Sequence, residues 1–194
     1  MAQHPIPNRP KHLDWFAAFL SYLVPGLGQV YQRRFGKGIL FFIALYLLFF
    51  YGMWMGSAKN VYLPDPKPLG PAELPIVGSL DGMPKALYHR PHYLGQFWIG
   101  VAAWPALVQY TSYEPGPDKK HALLGTWERE PSENVLNDLQ RNGDKRWDLG
   151  WVYTVIAGVL NILVIYDALA GPAFRDPKET AAAATSQQQA VVAS

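Results

Sequence analysis

Four apolar runs set the pattern of this chain, at residues 15–31, 38–56, 94–110 and 149–169, separated by proline-rich, glycine-rich or charged stretches. The second, GILFFIALYLLFFYGMWMG from Gly38 to Gly56, holds no charged residue and is apolar all round. At about 1.5 Å per residue such a helix covers most of a ~30 Å hydrocarbon core. The fourth, from Leu149 to Leu169, spans about 31 Å by the same rise, a full crossing. The first opens at Asp14-Trp15, where the carboxylate suits a helix N-cap and the indole a membrane interface. It is interrupted by Pro25-Gly26-Leu27-Gly28. Proline removes a backbone donor and glycine loosens the chain, so a break belongs here. Two forms stay open: a kinked span, or a short helix that dips in and returns. The third run is short and contains Pro105, which predicts a kinked or tilted span.

The polar intervals complete the outline. Residues 1–12 hold three prolines and no periodicity and read as an irregular tail. The turn from Gln32 to Lys37 places Arg33, Arg34 and Lys37 beside two membrane ends, which favours the cytoplasm. Residues 57–93 (with LPDPKPLGPAELP) predict an extended, irregular loop. In the second loop, 111–148, Ser132 and Asn142-Gly143 bracket a short helix whose Val135, Leu136 and Leu139 share one narrow face. Residues 173–194 are low in complexity and read as a disordered tail. Putting the Arg33–Lys37 turn and the 111–148 loop on the cytoplasmic side leaves nine Lys and Arg inside and eight outside, so the charge rule barely discriminates.

Composition narrows the function classes. Charged residues make up 16% of the 194, against roughly 25% in an average soluble domain. Net charge is +2, scattered along the chain, which gives nucleic acid no surface to bind. The chain has no cysteine, which removes disulfides, thiolate metal sites and cysteine nucleophiles together. Arg9 and Lys11 ahead of an apolar run resemble a signal peptide, but Pro25-Gly26 follows without an A-x-A site, so the segment is expected to be retained.

Candidate chemistry is sparse. Asn161 lies about 18 Å into the fourth run, where an amide needs partners. Gly150, Thr154, Ala157 and Gly158 precede it on one small or polar stripe, which reads as a packing face; a ligand contact is the alternative. Asp167 lies near the end of that run, where interfacial polarity is cheap and a proton relay is the sharper alternative. Gly52 and Gly56 have GxxxG spacing. His89 and His92 have H-x-x-H spacing, but Pro91 stands between them without a third ligand nearby, so no metal site is read. Gly36-Lys37-Gly38 lacks phosphate-loop spacing, and Ser21 has no histidine partner at a readable spacing.

The hairpin LVPGLGQVYQRRFGKGILFF resembles the P-G-L-G-Q-x-Y…G-K-G signature of small bacterial membrane proteins related to the TM-two-like domain. Pro25, Gly26, Gly28, Gln29, Tyr31, Lys37 and Gly38 match it. The stretch RWDLGWVYTVIAGVLNILVIYDALAGP, with LGQFWIGVAAWPALVQY before it, is similar to an uncharacterised family of bacterial inner-membrane proteins carrying that hairpin. Asn161, Asp167, Gly171 and Pro172 match there. The resemblance implies a multi-pass inner-membrane protein and transfers no catalytic residue.

The resulting expectation is an all-α polytopic membrane protein with about four hydrophobic helices, the first broken at Pro25–Gly28, and two polar, largely irregular loops. Residues 13–172 form one membrane domain. No catalytic, cofactor or metal residue is assigned; Pro25, Gly26, Gly28, Gln29, Tyr31, Lys37, Gly38, Asn161 and Asp167 are structural candidates. The expected partners are the bilayer and other membrane proteins or a second copy, met through small-residue faces. A non-enzymatic assembly component is the leading reading. A small transporter using the broken first helix and Asn161, or a lipid-acting enzyme using loop His or Asp residues, are the alternatives.

Overall fold

The computed structural model describes residues 13–65, 73–74, 78–79, 82–112, 124–125, 127–142 and 145–171; the expected tails, and Pro172, lie outside them. Helix dominates. In chain order come α1 (Trp15–Leu23), α2 (Leu27–Tyr31), α3 (Phe35–Met55), α4 (Met83–His89), α5 (Pro91–Gln96), α6 (Trp104–Thr111), α7 (Glu133–Asn142) and α8 (Arg146–Ala170). Among the described residues the one extended pairing is a two-residue antiparallel ladder, β1 (Glu73–Leu74) with β2 (Gly78–Ser79).

Of the four apolar runs, two form helices long and apolar enough to cross a membrane, α3 and α8. They lie antiparallel, Lys37 meeting Asp167 at one end and Gly52 meeting Gly150 at the other. The glycines allow the helix backbones to touch: a Cβ at Gly52 would lie 2.7 Å from the Gly150 carbonyl oxygen, and one at Gly150 2.7 Å from the Gly56 nitrogen. The stripe Gly150, Thr154, Ala157, Gly158 and Asn161 is buried along α8. The residues turned outward from the pair are large and apolar, among them Leu47, Trp54 and Leu163.

The other two runs are hairpins. Asp14 caps α1 by accepting the Ala17 N–H at 3.0 Å, and α1 stops at Pro25-Gly26, where Gly26 takes a left-handed φ of 84°. That turn sends α2 back along α1. Both arms finish at the C-terminal end of α8: the Asp14 N–H donates to the Leu169 carbonyl at 3.0 Å, and Gln32 Nε2 donates to the Ala168 carbonyl at 2.7 Å and to Asp14 Oδ2 at 3.2 Å. Between the two forms left open by the sequence, the chain takes the one that turns back.

The third run turns back as well, in place of the expected kinked or tilted span. Its first arm, α5 continued by a 3-10 turn at Phe97–Ile99, runs alongside α8 from Trp151 towards Asn161. The chain reverses at Gly100, φ 85°, and a second 3-10 turn (Val101–Ala103) leads into α6. The Tyr93 hydroxyl closes the hairpin by donating to the Ala103 carbonyl at 2.7 Å. Pro105 is not the break. It occupies the first turn of α6, where a missing N–H costs nothing.

Two further differences follow. Met83–His89 is helical where a loop is expected, with Pro84 in its first turn. With the third run not crossing between the ends of α3 and α8, the Arg33–Lys37 turn and the chain leading into α8 sit at opposite ends of the pair, not at one end.

Candidate functional site

The two hairpins approach α8 from opposite ends and meet tip to tip. Gly100 lies against the carbonyl oxygens of Tyr22 and Leu23 so closely that a Cβ would collide with both. Both tips leave carbonyls without helical partners. The Ser21 carbonyl would bond to the N–H of residue 25, which is proline and has none. The Trp98 carbonyl loses its successor because Gly100 leaves the helical conformation. Asn161, fully buried on α8, supplies both bonds: its Nδ2 donates to Ser21 O at 3.1 Å and to Trp98 O at 2.8 Å. Facing two carbonyls fixes which end of the amide points where. Asn161 Oδ1 has no partner among the described residues.

A charged cluster stands where the first hairpin, α3 and α8 end together. Arg34 forks onto Asp167, Nη1 to Oδ2 at 3.0 Å and Nη2 to Oδ1 at 3.2 Å, while Lys37 Nζ reaches Oδ1 and Gln29 Nε2 donates to Oδ2 at 3.1 Å. Asp167 lies in the last turn of α8 and Lys37 in the first turn of α3, each at the wrong end of its own helix dipole. Antiparallel packing sets each charge against the favourable end of the other helix. Gln29, fully buried, also donates to the Val164 carbonyl at 2.8 Å and accepts from the Ser21 hydroxyl at 3.0 Å. Gly28 fits against the Ala17 carbonyl and Ser21, and Gly26 against Gly38. Tyr31 is exposed, its ring edge-on to Phe16 at 5.2 Å.

At the opposite end Gln96 Nε2 donates to Thr154 Oγ1 at 2.7 Å and to the Asn60 carbonyl at 3.1 Å, and Asn60 Nδ2 donates to the Gly52 carbonyl at 3.1 Å. Arg90 stacks over the Tyr62 ring, 3.5 Å from its centroid. His92 packs against Trp151 with ring centroids 4.1 Å apart, and no group of three or more His, Cys, Asp or Glu able to hold a metal occurs among the described residues.

The structure therefore brings Gln29, Lys37 and Asp167 together at one end, puts Pro25 at the turn of the first hairpin, packs Gly28 within that hairpin and Gly26 against Gly38, leaves Tyr31 on the outside, and sets Asn161 at the meeting of the tips. Sequence reading misses Asn60, Gln96 and Glu128, which join segments far apart in the chain. Gln96 alone carries a usable signal, an amide inside an apolar run, as Asn161 does.

Fold and site together define a helical protein with an apolar exterior, whose inward amides fasten broken helices to continuous ones. The chain belongs to a family of unknown function, DUF6677, whose model matches residues 16–181. No curated protein and no solved structure matches it.

Proposed function

We propose that this protein is a non-enzymatic, multi-pass component of a bacterial inner membrane, crossed by α3 and α8 and entered from each side by one hairpin. The observation behind it is inverted polarity. Leu47 at 66%, Trp54 at 71% and Leu163 at 63% exposure face outward, while Ser21, Gln29, Gln96, Thr154 and Asn161 are wholly enclosed at 0%. Water would reverse that arrangement, whereas lipid favours it. A structural or assembly role is supported by what the enclosed amides do: Gln29, Asn60, Gln96 and Asn161 each bond the backbone of another segment. The apolar exterior is then the surface for lipid and for partner membrane proteins or a second copy.

We take the end that holds Arg33, Arg34 and Lys37 as the cytoplasmic one, on the strength of that short basic turn. Single cysteines at Leu13, Gly36 and Ser132, with an impermeant thiol reagent applied to spheroplasts, test the arrangement. Leu13→Cys and Gly36→Cys should both stay unlabelled while Ser132→Cys reacts. Labels on Leu13→Cys and Gly36→Cys from opposite faces would refute the turned-back hairpin. The assembly role fails if the protein purifies as a lone monomer and cross-linking in native membranes captures no partner.

A small transporter is the second reading, favoured by two broken helices meeting deep in the molecule beside Asn161 Oδ1, which has no partner among the described residues. Flux through proteoliposomes that is unchanged in Asn161→Leu counts against it.

A further inference from the structure

Glu128 is a carboxyl with 1% exposure on a segment outside the crossing helices. Its Oε2 accepts the Ala106 N–H at 3.1 Å, and its Oε1 has no partner among the described residues. The contact caps a helix that lacks a cap of its own: Ala103, at the N-cap of α6, contributes no side-chain bond, and Pro105 has no N–H to offer. Gln109, one turn further along, fastens the same segment by donating from Nε2 to the carbonyls of Gly125 at 3.3 Å and Trp127 at 3.1 Å. Glu128 itself adopts φ 50°, a conformation an L-residue holds only when its surroundings require it.

Among the described residues, no counter-ion faces this carboxyl. From the second hairpin the Tyr93 hydroxyl faces it, and that hydroxyl spends its hydrogen on the Ala103 carbonyl. Its chain neighbours turn to Asp65 instead: Arg129 Nε lies 3.9 Å from Asp65 Oδ1, and Glu130 Oε2 accepts the Asp65 N–H at 2.9 Å. We propose that Glu128 is a proton-binding latch, fastening residues 127–130 onto the start of α6 as a neutral acid and releasing them when it ionises.

Burial outweighs the hydrogen bonds from Ala106 and Trp127 and pushes the acid up to about 8 from an ordinary 4.5. The sign follows from linkage. A carboxyl raised on docking holds the docked form most strongly below its ordinary range, and docking weakens about tenfold per pH unit up to about 8, then levels off.

Amide exchange at Ala106 in the full chain in detergent micelles, corrected for the intrinsic pH dependence of exchange, reads the latch. Protection should fall about tenfold per unit from pH 6 to pH 8. Glu128→Gln keeps the acceptor without the titration, so its protection should not vary with pH. An equal slope in Glu128→Gln, or none in the parent, would overturn the proposal. So would parallel losses at Leu45 and Phe49 of α3, because the whole molecule would then be opening. If Glu128→Gln does not fold, the carboxyl carbon shift of Glu128 in the parent decides: titration near 8 supports the latch, and an ordinary carboxyl midpoint overturns it.

Discussion

At the scale of single residues, the polar groups of this protein are distinguished by what replaces them when they are lost. Asn161→Leu would leave the Ser21 and Trp98 carbonyls unmet in an enclosed, apolar place. An unmet buried carbonyl costs about 1–3 kcal/mol, while side-chain hydrogen bonds inside membrane proteins average about 0.6 kcal/mol, because the unfolded chain also finds partners. Balancing the two, the variant should lose about 2 kcal/mol in unfolding by sodium dodecyl sulfate titration. Asp167→Asn, whose side chain is 27% exposed, should lose about 1 kcal/mol or less, since water can serve Arg34 and Lys37. A reversed order would mean that the charged end, and not the meeting of the tips, holds the molecule together.

At the scale of elements, the breaks decide the fold, and they differ in how far the sequence displays them. Pro25-Gly26 announces itself, because proline removes a donor and glycine admits the left-handed turn. Gly100 does not: a single glycine inside WIGVAA resembles any helix glycine, and the nearby Pro105 draws attention to the wrong place. The stripe ending at Asn161 is legible because positions 3, 4, 7 and 11 residues apart share a helix face whatever the fold. The partners of Asn161 are not legible, since they are backbone carbonyls and carry no letter in the sequence. Gly100→Ala tests the second break. The residue would have to hold φ 85° and push a methyl group into the Tyr22 and Leu23 carbonyls. A loss of about 3 kcal/mol or more is expected in the same titration, against about 1 kcal/mol or less for Gly36→Ala, which meets nothing within 4 Å.

At the scale of the whole molecule, the first hairpin is fastened to a helix more than 130 residues downstream. The Asp14 N–H bonds to Leu169, and Ser21, Gln29 and Arg34 find partners 133 to 140 residues downstream. That geometry has a consequence in time. The first hairpin leaves the ribosome early, and α8, which satisfies it, comes last. At roughly 5–20 residues per second the interval is on the order of ten seconds. For that period the Ser21 carbonyl and the Gln29 Nε2 group lack the partners that α8 supplies. A nascent chain arrested before Arg146 should therefore be cut rapidly by protease around Pro25–Gly28, and one released after Gly171 should resist. Equal resistance in both would mean that the first hairpin is stable without the last helix.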